Sequence, residues 1–234
     1  MKRTCLLVGG SGGLGETTAR LLASDDFDLV VSYCRNRDRA MQLSSIAQIV
    51  QADITIGPDR SRLLDAAGPV DSVVVFTGHP SRISEEQEIQ ERMDVSHAVN
   101  YMGPVLLARD AARRMQADRV SGSIVLFSTM QGVALFANSL AYAGAKAALI
   151  HGARILAKEM RGENIRVNVI APGIMNAGMA QASIAAGKYD RYLEDKTIPR
   201  FGRAEDIART VRFLLRQDSY ITGQVISVDG GITL

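Results

Sequence analysis

Short apolar runs recur along this chain, most of them followed by a segment with helical spacing. TCLLV precedes residues 13 to 24, LVVSY precedes 37 to 47, DSVVVF precedes a long stretch ending at 117, and SIVLF precedes 139 to 161; RVNVI and QVISV follow. None of these runs alternates as a strand with one wet face would. Strands apolar on both sides and separated by helices need a parallel sheet that is covered on both faces. The pattern therefore predicts an α/β fold, a Rossmann-like doubly wound parallel sheet with helices on both faces. With 234 residues, 47% of them hydrophobic, the chain suits one domain, residues 1 to 234, better than two small ones. No repeat, low-complexity tract or Pro/Gly-rich linker divides it.

A formal charge of +2 is spread along the chain, so no basic footprint points to nucleic acid or to an anionic membrane. The opening MKRTCLLVGGSGGLG starts like a signal peptide, but glycines interrupt its apolar part after CLLV, and it reads better as a strand. No apolar run approaches the roughly 20 residues that a bilayer span requires. Cys5 and Cys34 fall in separate strand-like stretches without metal-ligand spacing, and His79, His97 and His151 are isolated from one another. These features predict no metal site, no membrane and a reducing, cytoplasmic location. SRISEEQEIQERMD reads as a charged, solvated helix or loop.

LLVGGSGGLGE follows the first strand and runs straight into a helix, with Gly9, Gly13 and Gly15 spaced GxxxGxG. Such a loop, completed here by Ser11, Gly12 and Leu14, lets backbone approach a pyrophosphate and aims helix N–H groups at negative charge. An ordinary strand-to-helix turn is the competing explanation. An NAD site would place an acid at the end of the second strand, about 20 residues on. Here VVSYCRNRDR has Tyr33 at that place, followed by Arg35, Arg37 and Arg39, whose guanidinium forks suit a ribose 2′-phosphate. Asp25, Asp26 and Asp28 precede the strand, at the wrong end of the sheet to replace the missing acid. The cofactor expected is NADP(H), with Arg35 the first phosphate ligand and Arg37 the next; a solvated helix start is the alternative. Asp53, with Ile54 after it, closes the third strand, where it suits either the adenine amino group or a helix N-cap.

Tyr142 and Lys146 lie four apart in LAYAGAKAALI, an Ala- and Leu-rich stretch that predicts a helix and puts both side chains on one face. A lysine ammonium beside a phenol stabilises the phenolate and lowers a pKa that is ordinarily near 10. The tyrosine can then protonate a carbonyl oxygen as hydride reaches the carbon.

Together with the glycine loop, AVNYMG, FSTM, YAGAK, VNVIAPGIM and PRFGRAEDIA leading to ITGQVISVDGG are similar to the landmarks of the short-chain dehydrogenase/reductase family, in their order and over essentially the whole chain. The last segments look most like the 3-oxoacyl-thioester reductase branch, which acts in fatty acid metabolism. The resemblance implies that Tyr142 is the general acid/base and that Lys146 lowers its pKa and holds the nicotinamide ribose. It places Asn100 at a local break in its helix, where family members bind a water linking the lysine to solvent. The serine that orients the carbonyl in the family falls on Thr129, with Ser128 in reserve. Adjacent strand residues face opposite ways, so only a bend would let both serve.

The chain also departs from the family pattern. VFTG, residues 75 to 78, stands where NNAG is usual, leaving Thr77 and Gly78 beside the cofactor and one polar tie missing. Ala177 occupies a place often held by threonine after APG, although backbone from Pro172 and Gly173 to Met175 can still meet the nicotinamide. Residues 174 to 198 are expected to form a substrate lid, rich in small and methionine side chains. Arg119, Arg161 and Arg166 are expected near its entrance, as an acyl carrier protein would need. The resemblance implies a homotetramer or homodimer; the apolar face of LIHGARILAKEM suits an interface or an ordinary core equally. A cofactor-binding sensor with little turnover is the second function class, motivated by Thr129, VFTG and Ala177.

Overall fold

The computed structural model describes residues 2–25, 27–81 and 89–234. Residues 82 to 88 of the charged stretch at 81 to 94, and Asp26, thus lie outside the described residues. Seven parallel strands run in the order β3-β2-β1-β4-β5-β6-β7. They are β1 (Arg3–Val8), β2 (Phe27–Tyr33), β3 (Gln48–Gln51), β4 (Ser72–Val75), β5 (Gly122–Phe127), β6 (Ile165–Pro172) and β7 (Val225–Val228). The order reverses between β1 and β4, so the crevice for a ligand opens above the carboxyl ends of those strands.

Each strand feeds both cores, as unalternating apolar runs demand. Leu6, Val8, Val73, Val75, Ile124, Leu126, Val167 and Val169 point into one core, with Leu63 and Leu64 of α3 (Gly57–Ala67), Leu107 and Ala111 of α5 (Gly103–Ala117), and Leu149 and Ala153 of α7 (Leu140–Glu159). Cys5, Leu7, Val31, Val74, Val125, Phe127 and Ile170 point into the other, with Ala19 and Leu22 of α1 (Gly13–Ser24) and Ile207 and Val211 of α10 (Ala204–Leu214). The doubly wound sandwich follows from this two-sided burial.

Several local boundaries differ from the sequence reading. The helix expected over 37 to 47 is α2 (Arg37–Met41), capped by the Asn36 side chain on the Arg39 N–H; beyond it, turns still bury Leu43. Cys34 lies one residue past β2 and is exposed. Asp53 lies two residues past β3 and caps a turn, its carboxylate accepting from the Thr55 N–H at 3.0 Å and the Thr55 hydroxyl at 2.7 Å. It is not a helix N-cap, because α3 starts only at Gly57 behind Ile56. The long stretch ending at 117 divides into α4 (Ile89–His97), a π-helical turn (Ala98–Met102) and α5. The segment expected as a lid carries α8 (Gln181–Ala185) and α9 (Arg191–Glu194), and its Ile174 and Ile198 bury against Met130.

Candidate active site

A cavity of about 790 Å³ opens at the carboxyl ends of the strands, lined by the glycine loop, the ends of β2 to β6, the start of α7 and the lid. Gly9 sits at φ +69°, and a Cβ there would stand 3.2 Å from the Thr77 methyl. A Cβ on Gly15 would stand 2.6 Å from the Gly10 backbone, so the helix start can press on its own loop only as glycine. The Gly9 N–H donates to the buried Ser32 hydroxyl at 3.2 Å, which pins the turn to β2. Ser32 is a positioning residue that the sequence reading missed; a serine inside an apolar run was its only signal. Gly13 packs backbone to backbone on Gly178 of the lid, where a Cβ would meet the Gly178 nitrogen at 2.7 Å.

Ser11, Gly12, Leu14, Arg35, Asp53, Ile54, Gly78, Pro172, Gly173 and Met175 also line this cavity. Arg37 begins α2 outside it, and Arg39 turns away to Glu16 at 3.7 Å. Arg35 forms no ion pair with a carboxylate among the described residues. Thr77 Oγ1 is buried without a hydrogen-bond partner among the described residues. A guanidinium without a carboxylate partner at one end, a glycine cradle with the N–H groups of α1, and an orphaned hydroxyl facing the same space together fit a phosphorylated dinucleotide.

The reacting end is built by β5, α6 (Met130–Val133) and α7. Ser128 and Thr129 diverge at the end of β5, as neighbours on a strand do. The Ser128 hydroxyl donates to the Lys146 carbonyl at 3.0 Å and is buried, so it locks α7 to the sheet. Gly132 makes this possible, since a Cβ there would stand 2.6 Å from Ser128 Oγ. Thr129 instead caps α6, accepting weakly from the Gln131 N–H at 3.4 Å, and its hydroxyl lies close enough to the Tyr142 phenol to act on its proton. Of the two hydroxyls, Thr129 is the one beside the tyrosine.

Lys146 is buried, and its ammonium donates to the Phe127 carbonyl at 2.8 Å and the Thr77 carbonyl at 3.1 Å. Burial pulls its pKa down to about 7. Burial also raises the Tyr142 phenol to about 12, against a lowering by the neighbouring Thr129 hydroxyl. The expected lowering of the phenol by lysine is thus corrected: in the protein alone desolvation dominates both groups, and Tyr142 holds its proton.

Asn100 lies inside the π turn, the local break expected for it, with no exposed surface. Its Oδ1 accepts from the His79 N–H at 2.8 Å, and its Nδ2 donates to the His79 carbonyl and to Ser96 Oγ, each at 2.9 Å. Ser96 in turn donates to the Ala141 carbonyl at 2.8 Å, joining α4 to the residue before Tyr142. A Cβ on Gly78 would stand 3.5 Å from Asn100 Oδ1 and 3.9 Å from Lys146 Nζ, so this glycine separates the two polar groups. Arg119, Arg161 and Arg166 fall before β5 and at the start of β6, the opposite end of the sheet. Arg166 is spent on the Leu214 and Arg216 carbonyls, so these three arginines do not frame the entrance.

Among the described residues no helix is long and apolar enough to cross a membrane, and no cluster of His, Cys, Asp or Glu could hold a metal ion. A family model described as enoyl-(acyl carrier protein) reductase matches residues 9–233. The rat protein named 3-oxoacyl-[acyl-carrier-protein] reductase is 31% identical over 243 residues, covering 100% of this chain and 99% of that one. A solved short-chain type dehydrogenase/reductase from Mycobacterium ulcerans superposes with a TM-score of 0.90 at 28% identity, covering 99% of this chain and 90% of its own. ElxO with NADP bound gives 0.88 at 25% identity, with 99% of both chains covered. With this match over nearly its full length, and with a glycine cradle, a helix-borne Tyr-Lys pair and a broken α4–α5 helix around one crevice, the chain belongs to the short-chain dehydrogenase/reductase family of oxidoreductases.

Proposed function

We propose that the protein is an NADPH-dependent reductase that converts a carbonyl, with a 3-oxoacyl thioester as the leading substrate, to a hydroxyl. The observation that carries this reading is the placing of the Thr129 and Tyr142 hydroxyls side by side at the reacting end of a cavity whose other end is framed by the glycine loop and Arg35. When bound, the dinucleotide supplies hydride. The chain's own residues do the rest. Thr129 and Tyr142 offer two hydroxyls to one carbonyl oxygen, and a phenol that keeps its proton at neutral pH can deliver it there. Lys146, tied to two carbonyls and titrating near 7, passes a proton toward that phenol at little cost. Asn100, in the π turn, holds the main chain of His79, two residues past the Thr77 carbonyl to which Lys146 donates. Arg35 takes the 2′-phosphate, with Arg37 as an outer cation; the α1 N–H groups take the pyrophosphate, and Thr77 Oγ1 gains its partner from the cofactor.

The relative named for 3-oxoacyl reduction and the adaptable lid support the thioester. An acyl carrier protein as its bearer rests on that relative's name and not on the basic residues first considered. Two free thiols, Cys5 and Cys34, suit a cytoplasmic protein. Half-exposed Met102 and Ile155 on the outer faces around α5 and α7 support a homodimer or homotetramer.

The test is NADPH oxidation against a panel of carbonyl compounds that includes an acetoacetyl thioester, with Tyr142→Phe in parallel. Turnover should fall about 10²- to 10⁴-fold in the variant. Measurable NADPH binding with no turnover on any carbonyl would replace the enzyme by the sensor reading, which Ala177 and residues 75 to 78 favour.

A further inference from the structure

His79 belongs to no motif singled out in the sequence, where it stands isolated from the other histidines, yet it lines the cavity on the loop after β4. Its main chain is clamped on both sides by the Asn100 amide, at 2.8 and 2.9 Å. Its ring is oriented as well. The Ser81 N–H donates to Nδ1 at 3.1 Å, and the Ser81 hydroxyl stands 3.0 Å from the same atom. A backbone N–H can only donate, so Nδ1 is the acceptor and the neutral ring carries its hydrogen on Nε2. Ser81 adopts φ +44° and is buried to do this, a left-handed conformation that serine rarely takes. Among the described residues Nε2 has no partner.

Partial burial, and after it the charges of Arg35 beyond β2 and Arg92 of α4, hold the pKa of this ring below the ordinary value. No carboxylate of the described residues pairs with Arg35. A cation without a carboxylate counter-ion and a fixed neutral donor without an acceptor, lining one cavity, describe a place prepared for an anion.

We propose that His79 is a further cofactor-binding residue, whose Nε2–H donates to the phosphate on the adenosine ribose together with Arg35; this rests on the NADPH reading. The two residues divide the work: Arg35 supplies charge and His79 supplies direction. This arrangement makes up for part of the polar tie that residues 75 to 78 lack.

The test is equilibrium binding of NADPH, NADH and 2′-AMP to the wild type and to His79→Ala, His79→Gln and Arg35→Ala, with circular dichroism to verify folding. His79→Ala should weaken NADPH and 2′-AMP about tenfold and leave NADH unchanged. Glutamine, which places an amide N–H near the same point, should recover much of the loss. The proposal is overturned if His79→Ala weakens NADPH and NADH alike, or neither. If Arg35→Ala also fails to discriminate NADPH from NADH, the NADPH reading falls with it; if Arg35→Ala discriminates and His79→Ala does not, only the role of His79 falls.

Discussion

Thr129 and Ser128 have the same functional group one residue apart, and their surroundings separate them. Thr129→Val keeps the shape and removes the hydroxyl beside Tyr142, so kcat/KM for a carbonyl substrate should drop about 10- to 100-fold, whereas Thr129→Ser should retain most activity. Ser128→Ala removes the buried bond to the Lys146 carbonyl and should cost about 1 kcal/mol of stability in urea unfolding, with a smaller effect on the chemical step. The reverse ranking would make Ser128 the orienting group. Lys146 gives a pH-dependent prediction. Its folded pKa of about 7 lies below its ordinary 10.5, so between those values the unfolded chain binds more protons and stability rises with pH. Below about 7 the burial penalty is present in full. Lys146→Met deletes this titration, so the melting temperature of the wild type should climb relative to the variant from pH 7 to 9.5. A constant difference would show that Lys146 stays charged in the folded protein.

At the scale of elements, the glycine turn and the π turn differ in how far the sequence revealed them. Gly9, Gly13 and Gly15 were readable because each replaces a side chain that would collide with backbone or with a neighbour, and such collisions leave glycine at fixed spacing. Gly15→Ala should therefore destabilise the protein by roughly 1 to 3 kcal/mol and weaken NADPH binding, as urea titration and fluorescence would show. The strands were readable because burial on two faces forbids alternation. The clamp Asn100–His79–Ser81 was not readable, because it closes between a helix and a loop 21 residues away, and although AVNYMG marks Asn100 nothing local marks His79 as its partner. Thr129 emerged by counting from the strand to Tyr142. The divergence from Ser128, by contrast, is a matter of packing against α7. Arg119, Arg161 and Arg166 were misplaced because charge says nothing of which end of a strand it occupies; the register of β5 and β6 decides that.

The whole molecule divides its site between two halves of one sheet. The glycine loop, Ser32 and Arg35 belong to β1 and β2; Thr129, Tyr142, Lys146 and Gly173 belong to β5, α7 and β6. The reversal between β1 and β4 brings the halves to one crevice, and the lid spans them where Gly178 rests on Gly13. A dinucleotide that touches both halves binds only the folded arrangement, so it stabilises the protein by mass action, about 2.7 kcal/mol at a hundred times its Kd. If the phosphate on the adenosine ribose is read at the β2 end, equal concentrations of NADPH and NADH should raise the melting temperature unequally, NADPH more. Arg35→Ala should bring the two shifts together while leaving the shift by NADH as it was, because the pyrophosphate cradle on α1 is intact. Equal shifts in the wild type would mean that discrimination does not arise at the end of β2, and Arg35 would be a surface cation. The unfolding should stay a single transition with either cofactor, since both cores share every central strand and neither half of the sheet can open while the other stays packed.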